Sequence, residues 1–211
     1  MREYPKIYGP FNRHVDGPDR NKLIEGQWSR PEIGYLAEFE WEFTEKVDGT
    51  NIRVHWDGHK VEFGGRTDRA QIPAKLIAVL QNLFPEELFE QQFGETEVTL
   101  YGEGYGAGIQ KGGGNYLPTG VNFVLFDVRV GDWWLLRKDV VDVAIKMGVD
   151  CVPMTLIGTI ADAIAEVRAG LVSEFGPTAF PAEGVVGVTS AGLLDRSGHR
   201  IMVKIKTADF R

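Results

Sequence analysis

Short runs of β-type residues, separated by glycine and turn residues, recur along this chain and constrain its fold more than any other feature. The clearest case is the Asp57-Gly58 dipeptide, which lies between the runs Ile52–Trp56 and Lys60–Phe63 and is a strong β-hairpin signal. Further strand-like runs are Tyr35–Phe43, Glu97–Tyr101, Val121–Val130, Gly184–Val188 and Ile201–Ile205. The pattern predicts a fold dominated by antiparallel sheet.

Three segments have helical rather than strand-like spacing. Apolar residues in Pro73–Phe84 recur every three or four positions, and Arg137–Met147 is followed by Gly148, a typical helix stop. Thr159–Leu171 has the same character. Residues 1–34 are rich in Pro, Gly, Arg and Asp and are predicted to be irregular. We therefore predict an α+β fold with mostly antiparallel sheets and a few helices packed outside them.

The length and composition suit one folded domain. The chain has 211 residues, of which 43% are hydrophobic, so it can bury a core as one domain, or as one domain with a small lobe. No apolar run approaches the length of a membrane span and the N-terminus has no apolar signal core, so we expect no membrane partner and a cytoplasmic location. The single cysteine, Cys151, excludes a disulfide framework and is expected to be a buried structural thiol. We predict a single domain over residues 1–211.

The charge balance limits the kinds of partner that the chain can bind. Its net charge is −7, which argues against a non-specific nucleic-acid binder, because such proteins normally present a basic face. Any contact with nucleic acid must therefore depend on local positive residues or on the help of a partner.

The sequence Glu45-Lys46-Val47-Asp48-Gly49-Thr50-Asn51 places a lysine between an apolar, β-rich run and an Asp-Gly pair. If this segment is extended, Lys46 and Asp48 point to one face and Glu45 and Val47 to the other. A lysine becomes a useful nucleophile only when its amine loses its proton readily, which desolvation or neighbouring cations favour. Taken alone, the segment is better explained as a surface hairpin, because Asp-Gly is a common turn.

Two lysines share one face of the last predicted strand. Alternation puts Met202, Lys204 and Lys206 opposite the apolar residues of Ile201–Ile205, with the two ammonium groups about 7 Å apart along the strand. Such a pair could hold phosphates and make a third lysine easier to deprotonate. A solvated strand face is the simpler interpretation when this feature is considered by itself.

A glycine-rich stretch, Gly102–Gly114, follows an apolar strand-like run and contains Glu103. So many glycines let a backbone approach a ligand closely, although the stretch matches neither a Walker A loop nor a dinucleotide-binding fingerprint. Glu103 stands directly after the apolar run, where a ligand-binding carboxylate would be placed. A flexible loop is the alternative.

Three further residues have positions that suit nucleotide binding. Alternation places Phe126 on the opposite face from Phe123 and Leu125, where its ring could stack on a base. Glu183 opens an apolar strand and could bind a metal or a ribose. Arg66 follows a strand in a position that suits phosphate recognition. Each of them also has an ordinary structural explanation.

The order of these features is more specific than any one of them. In chain order they are Lys-x-Asp-Gly-Thr-Asn from residue 46, Gly-Arg-Thr from 65, Gly-Glu from 102, Phe-Asp from 126, Glu-Gly-Val-Val from 183 and Lys-x-Lys from 204. This series resembles the motifs of covalent nucleotidyltransferases, which include ATP-dependent DNA ligases, RNA ligases and mRNA capping enzymes. The resemblance spans residues 45–206. It is greatest to phage-type RNA ligases that seal nicked duplex RNA, because of Gly108–Lys111 and Thr50-Asn51.

The resemblance implies a ligase-type adenylyltransferase domain with a nucleotide cleft between its sheets. It implies ATP and Mg²⁺ or Mn²⁺ as cofactors, and nicked duplex RNA, an RNA–DNA hybrid or DNA as the nucleic-acid partner. Lys46 would attack ATP and carry AMP, and Glu183 would hold the metal or the lysine. The other implied contacts are Glu45 beside adenine, Asn51 and Arg66 at phosphate or ribose, Glu103 at the ribose hydroxyls, Phe126 on adenine, and Lys204 and Lys206 at the α-phosphate and leaving group.

Two departures from the RNA ligase pattern leave the substrate open. Phage RNA ligases often have His where this chain has Asp48, whereas DNA ligases favour Asp. The chain also ends shortly after Lys206, so we expect no C-terminal OB-fold or helical domain. Either the chain is a minimal nucleotidyltransferase, or residues 1–34 or a protein partner compensate. The alternatives are a minimal ATP-dependent DNA ligase, a GTP-using capping-type enzyme and a non-catalytic module that binds nucleic-acid ends.

Overall fold

Two mainly antiparallel sheets organise the chain in this computed structural model, which describes residues 1–210. Residues 1–4, 47–152 and 175–178 form one compact unit, called here the six-stranded unit. Residues 5–46, 153–174 and 179–210 form the second, called the four-stranded unit. The chain passes from the four-stranded to the six-stranded unit directly after Lys46.

The strands are short except in the six-stranded unit. They are β1 (Phe11–Arg13), β2 (Leu23–Trp28), β3 (Trp41–Glu45), β4 (Thr50–Trp56), β5 (Val61–Gly64), β6 (Val98–Gly106), β7 (Val121–Val130), β8 (Trp133–Trp134), β9 (Asp150–Cys151), β10 (Met154–Gly158), β11 (Val172–Ser173), β12 (Phe180–Pro181), β13 (Gly184–Thr189) and β14 (Met202–Lys206). The helices are α1 (Pro31–Tyr35), α2 (Ala74–Leu83), α3 (Glu86–Phe93), α4 (Gly113–Tyr116), α5 (Arg137–Met147) and α6 (Ile160–Gly170), followed by a 3-10 turn at Thr207–Asp209. Across residues 1–210, no helix combines the length and the apolar character that crossing a membrane requires.

The four-stranded unit has the strand order β10-β3-β13-β14, and each neighbouring pair is antiparallel. Alternation puts Trp41, Phe43 and Val185 on one face of this sheet, in a core that they share with α6. Helix α6 begins after Thr159, which forms a capping box with Asp162. The second face of the sheet carries both apolar and polar side chains, among them Val186 and Lys204.

The six-stranded unit has the strand order β5-β4-β6-β7-β8, with β9 joined in parallel to β7. Apolar residues of α2, α3 and α5 share a core with Ile52, Leu100 and Phe123 on one face of the sheet. Arg53 and Tyr101 lie opposite each other in the ladder of β4 and β6, on the other face. This second face is called the polar face below.

Most of the predicted elements are confirmed. The fold is α+β with mostly antiparallel sheets, and the Asp57-Gly58 dipeptide joins β4 to β5 as a hairpin. Helices α2, α5 and α6 match their predicted segments to within one residue at each end, and α5 stops at Gly148 in the left-handed conformation. Helix α3 is an addition to the prediction. Cys151 is half-buried rather than buried, and burial raises the pKa of its thiol, in keeping with a structural role.

The N-terminal region differs from its prediction. Residues 1–34 are more ordered than expected, because β1 pairs with β2 and α1 begins within them. The strand predicted over Tyr35–Phe43 begins only at Trp41, because Pro31 starts a helix that runs to Tyr35. Alternating character alone therefore placed the start of β3 six residues too early.

Candidate active site

Lys46 follows the last residue of β3, and the sheet register fixes its position. Its backbone N–H donates to the Gly184 carbonyl at 2.9 Å, which continues the ladder between β3 and β13. Trp41 and Phe43 face the core, so alternation turns the Lys46 side chain to the opposite face. The surface-hairpin alternative is wrong, because β3 and β4 belong to different sheets and do not pair across Asp48.

The register also brings the C-terminal lysines to the same face. Gly184 pairs with Lys206 on its other side, and Val186 pairs with Lys204. Lys46, Gly184 and Lys206 thus form one row across three strands. Gly184 has a φ of +147°, and a Cβ there would lie 2.1 Å from the Ile205 carbonyl oxygen. Only glycine fits between the two lysines.

Glu183 joins Lys46 to Lys206. Its two carboxylate oxygens accept from Lys46 Nζ at 2.7 Å and from Lys206 Nζ at 2.8 Å, and all three side chains are partly buried. Burial alone would raise the pKa of Glu183, but the charges and hydrogen bonds of the two lysines outweigh this effect and lower it. With Lys204 on the same face, the cluster holds three lysines and one carboxylate. It is therefore positive within a chain of net charge −7.

Glu45 lies on the opposite face from Lys46, as alternation predicts. Burial raises the pKa of its carboxyl, against a hydrogen bond from Ser173 that lowers it. One carboxyl oxygen, Oε1, is buried and has no hydrogen-bond partner in residues 1–210. The backbone N–H of Glu45 already has an acceptor, because it donates to the Pro153 carbonyl at 2.9 Å. The predicted contact of Glu45 with adenine stays a prediction.

In the six-stranded unit, Asn51 and Glu103 are direct neighbours on the polar face. They lie opposite each other in the ladder of β4 and β6, and Glu103 also lies opposite Val124 of β7. Asn51 Oδ1 is buried without a hydrogen-bond partner among the described residues. A buried acceptor of this kind is costly unless a ligand or a water donates to it, so Asn51 is suited to ligand binding.

Phe126 lies on the polar face, as alternation from Phe123 and Leu125 predicts, and a β-bulge brings Asp127 to the same face. The register changes between Tyr101, which lies opposite Asp127, and Gly102, which lies opposite Leu125, so Phe126 is the extra residue. Without the bulge, alternation would put Asp127 on the core side together with Leu125. Phe126 is only half-buried, as a ring that stacks on a ligand requires.

Arg66 is exposed in the bend after the edge strand β5, outside the row that Asn51 and Glu103 form. The segment that carries it is held by Arg53, a residue that we did not predict. Arg53 is fully buried, and its guanidinium donates to the Gly65 carbonyl at 2.7 Å and to Asp68 at 2.9 Å. The signal was present in the sequence, because alternation in β4 puts Arg53 on the same face as Asn51.

Gly102 and Gly104 face the apolar core, not a ligand. A Cβ at Gly102 would lie 2.1 Å from the Phe123 ring, and one at Gly104 would lie 2.3 Å from Leu76. The flexible-loop alternative is also wrong for this part, because the chain is strand β6 as far as Gly106. For these two glycines the expected role in ligand approach is wrong, and close packing explains them.

Comparison with known proteins identifies the family. The RNA ligase family model matches residues 39–206, and no curated protein matches the chain. The structure resembles Naegleria gruberi RNA ligase with PPi, with a TM-score of 0.64 and 19% identity over 100% of this chain and 63% of that chain. The structure also resembles a mutant of a Naegleria gruberi RNA ligase with ATP and Mn. The TM-score is 0.65 and the sequence identity is 19%, over 99% of this chain and 58% of that chain.

A third solved structure, an apo mutant of Naegleria gruberi RNA ligase, gives a TM-score of 0.64 and 21% identity over 85% of this chain and 53% of that chain. At these identities the likeness shows a shared fold. The chain spans 53% to 63% of the length of these solved ligases. Since the family model covers most of the sequence, the chain belongs to the RNA ligase family.

Proposed function

We propose that this chain is the nucleotidyltransferase of an ATP-dependent RNA ligase and that Lys46 carries AMP as a covalent adduct. The observation that carries the proposal is the row formed by Lys46, Gly184 and Lys206, with Glu183 bound to both lysines. The solved ligases give support, since they include structures with ATP and Mn, with AMP and Mn, and with PPi.

In the proposed first step, Lys46 Nζ attacks the α-phosphorus of ATP. A nitrogen–phosphorus bond forms, the bond from the α-phosphorus to the bridging oxygen breaks, and pyrophosphate leaves. The amine must lose a proton before its lone pair can attack, and the Glu183 carboxylate, 2.7 Å away, is in hydrogen-bond contact with it. Lys204 and Lys206 offset the negative charge that develops on the phosphates.

The residues present fit a divalent metal that is shared with the nucleotide. No group of three or more acidic, His or Cys side chains that could hold a metal occurs in residues 1–210. Mg²⁺ commonly uses one or two carboxylates together with substrate phosphates, and Glu183 would supply such a carboxylate. When bound, the metal would neutralise charge on the phosphates and on the leaving group.

We propose that the polar face of the six-stranded unit binds the nucleoside part of ATP. Glu103 would accept hydrogen bonds from the ribose hydroxyls, and Asn51 would accept from a ribose hydroxyl at its buried Oδ1 or donate its amide N–H to a phosphate oxygen. Phe126 would stack on adenine, and Arg66 would contact phosphate. Glu45 would border the adenine.

In the proposed later steps, AMP passes to a 5′-phosphate end and a 3′-hydroxyl displaces it, which seals a nick in duplex RNA. Both steps depend on positioning and positive charge. Because the chain is acidic overall, its contacts with nucleic acid are expected to be few and local. Binding to nicked duplexes should therefore be weak and should weaken further as salt rises.

Labelled ATP tests the proposal. Incubation with labelled ATP and Mg²⁺ should label the protein, and pyrophosphate should reverse the labelling. A chase with nicked RNA, DNA or hybrid duplexes should then move the label to the RNA-containing end. Labelling by GTP instead would favour a capping-type enzyme, and transfer to DNA alone would favour a DNA ligase. An absence of labelling under all conditions would favour the non-catalytic module.

A further inference from the structure

The ring of Tyr4 lies against Phe126, although the two residues are far apart in sequence. The ring centroids are 5.0 Å apart and the planes meet at 71°, an edge-to-face contact of favourable geometry. Tyr4 also packs against Tyr101 at 5.1 Å and Trp134 at 5.7 Å. Tyr4 is therefore the shared neighbour of Tyr101, Phe126 and Trp134.

Hydrogen bonds fix the first four residues to the same face. The Tyr4 hydroxyl donates to Asp127 Oδ2 at 2.8 Å, and Asp127 directly follows Phe126, the extra residue of the bulge. The Tyr101 hydroxyl donates to the Arg2 carbonyl at 3.1 Å. These contacts attach an N-terminal segment, predicted to be irregular, to the strands that carry the nucleoside-binding candidates.

Phe126 needs such support because of where it lies. It is the extra residue of a bulge and is only half-buried, so neither the sheet ladder nor a surrounding core fixes its ring. A stacking ring contributes most to binding when its orientation is set before the ligand arrives. The contact with Tyr4 restricts that orientation from one side.

We propose that Tyr4 is a positioning residue for nucleotide binding, which holds the Phe126 ring in the orientation that stacks on adenine. This inference rests on the proposed function, because it takes adenine as the partner of Phe126. Because Tyr4 contacts the Phe126 ring directly, its loss should weaken binding of the base more than binding of the phosphates.

Equilibrium binding to ATP and to tripolyphosphate separates base from phosphate recognition. The measurement uses the full chain with Lys46→Ala, which prevents covalent reaction, and adds Tyr4→Leu, Tyr4→Phe or a control. Tyr4→Leu should raise the Kd for ATP about three- to tenfold, because one aromatic contact is lost. The Kd for tripolyphosphate, which has no base, should stay within about twofold. Tyr4→Phe keeps the ring and should restore most of the affinity for ATP.

Tyr35→Leu is the matched control, since Tyr35 is 82% exposed on α1 and should leave both constants unchanged. In a protein that also carries Phe126→Ala, Tyr4→Leu should have little additional effect on ATP binding. The inference is overturned if Tyr4→Leu leaves the Kd for ATP unchanged, lowers it, or raises the Kd for tripolyphosphate equally. It is also overturned if the Lys46→Ala protein binds ATP no better than tripolyphosphate. Failure of the proposed function is a separate result, namely the absence of labelling when the wild-type chain is incubated with ATP.

Discussion

The candidate site residues of the two units differ in how far they are already bound to partners within the protein. In the four-stranded unit, Lys46, Glu183 and Lys206 are charged and already bound to one another. In the six-stranded unit, Asn51 keeps a buried acceptor without a partner, and Phe126 presents a half-buried ring. A phosphate that binds the first group must compete with existing ion pairs. A nucleoside that binds the second group completes contacts that the fold leaves open.

The origin of the two arrangements also differs. The charged cluster follows from strand register, because pairing through Gly184 aligns residues that are distant in sequence. The polar face combines a regular ladder, which aligns Asn51 with Glu103, with a departure from register, because the bulge turns Asp127 to the same side as Phe126. The charged cluster thus depends on strand register alone, whereas the polar face also contains a bulge.

Removing the carboxylate of the charged cluster should have the largest effect. In Glu183→Gln, Lys46 and Lys206 lose the anion that holds both ammonium groups, and the proposed metal loses a ligand. We expect the single-turnover rate of adenylylation to fall about 10²- to 10³-fold, the scale of losing one main electrostatic group in an active site. Glu25→Gln is the matched control, because it breaks an exposed ion pair with Arg168 in the same unit. An equal loss in both variants would contradict the assignment.

Gly184→Ala should disturb the ladder itself. The new Cβ would enter a positive-φ position and meet the Ile205 carbonyl at 2.1 Å, so strand β13 or β14 must move. We expect a loss of about 2 to 4 kcal/mol in the free energy of unfolding. For a chain of this length that corresponds to a Tm lower by about 4 to 16 °C.

Gly114→Ala provides the comparison for that experiment. A Cβ at Gly114 meets no atom within 4 Å, and the position has no positive φ. Its Tm should stay within about 2 °C of the wild type, as for an ordinary surface change. A Tm for Gly184→Ala close to that of the wild type would show that the row of Lys46, Gly184 and Lys206 tolerates a side chain at its centre.

Asn51→Ala should separate binding from stability. The variant removes an acceptor that has no partner within the described residues, so we expect the Tm to stay the same or to rise. A bound nucleotide would lose a hydrogen bond, and the KM for ATP should rise about three- to tenfold. A loss of Tm without a change in KM would mean that Asn51 serves the fold and not the ligand.

Glu45→Gln should have the smallest effect, and that effect should depend on pH. Burial raises the pKa of Glu45 above its ordinary value of 4.5, so the folded state resists ionisation and the wild type loses stability as pH rises from 4.5 through the folded pKa. The glutamine does not ionise. The Tm of the variant should therefore equal or trail that of the wild type at pH 4 and exceed it at pH 7. A difference that does not change with pH would contradict the burial argument.

Local patterns predicted the regular parts of the molecule. Helical spacing gave α2, α5 and α6, and the order of the motifs led to the RNA ligase family that the family model identifies. Strand alternation put Lys46 and Glu45 on opposite faces, and Lys206 opposite the apolar residues of its own strand. What alternation could not give was that Lys46, Gly184 and Lys206 form one row, because register depends on pairing between distant segments.

The bulge in β7, the position of Tyr4 and the burial of Arg53 were not predicted, and each has a physical reason. Period-two alternation breaks at a bulge, so it gives no reason for Asp127 to share a face with Phe126. Tyr4 is fixed by contacts 97 to 130 residues away, which no local pattern contains. Arg53 had a readable signal, since it stands two residues after Asn51, but a buried arginine contradicts the usual expectation for a charged side chain.

Lys46 is the proposed carrier of AMP, and peptide mapping by mass spectrometry tests this proposal most directly. After incubation with ATP and Mg²⁺, the AMP mass should appear on the peptide that contains Lys46. It should be absent in Lys46→Arg, which keeps the positive charge. In Lys206→Arg it should form more slowly but at the same place. AMP on Lys204 or Lys206, or an adduct that persists in Lys46→Arg, would contradict the account.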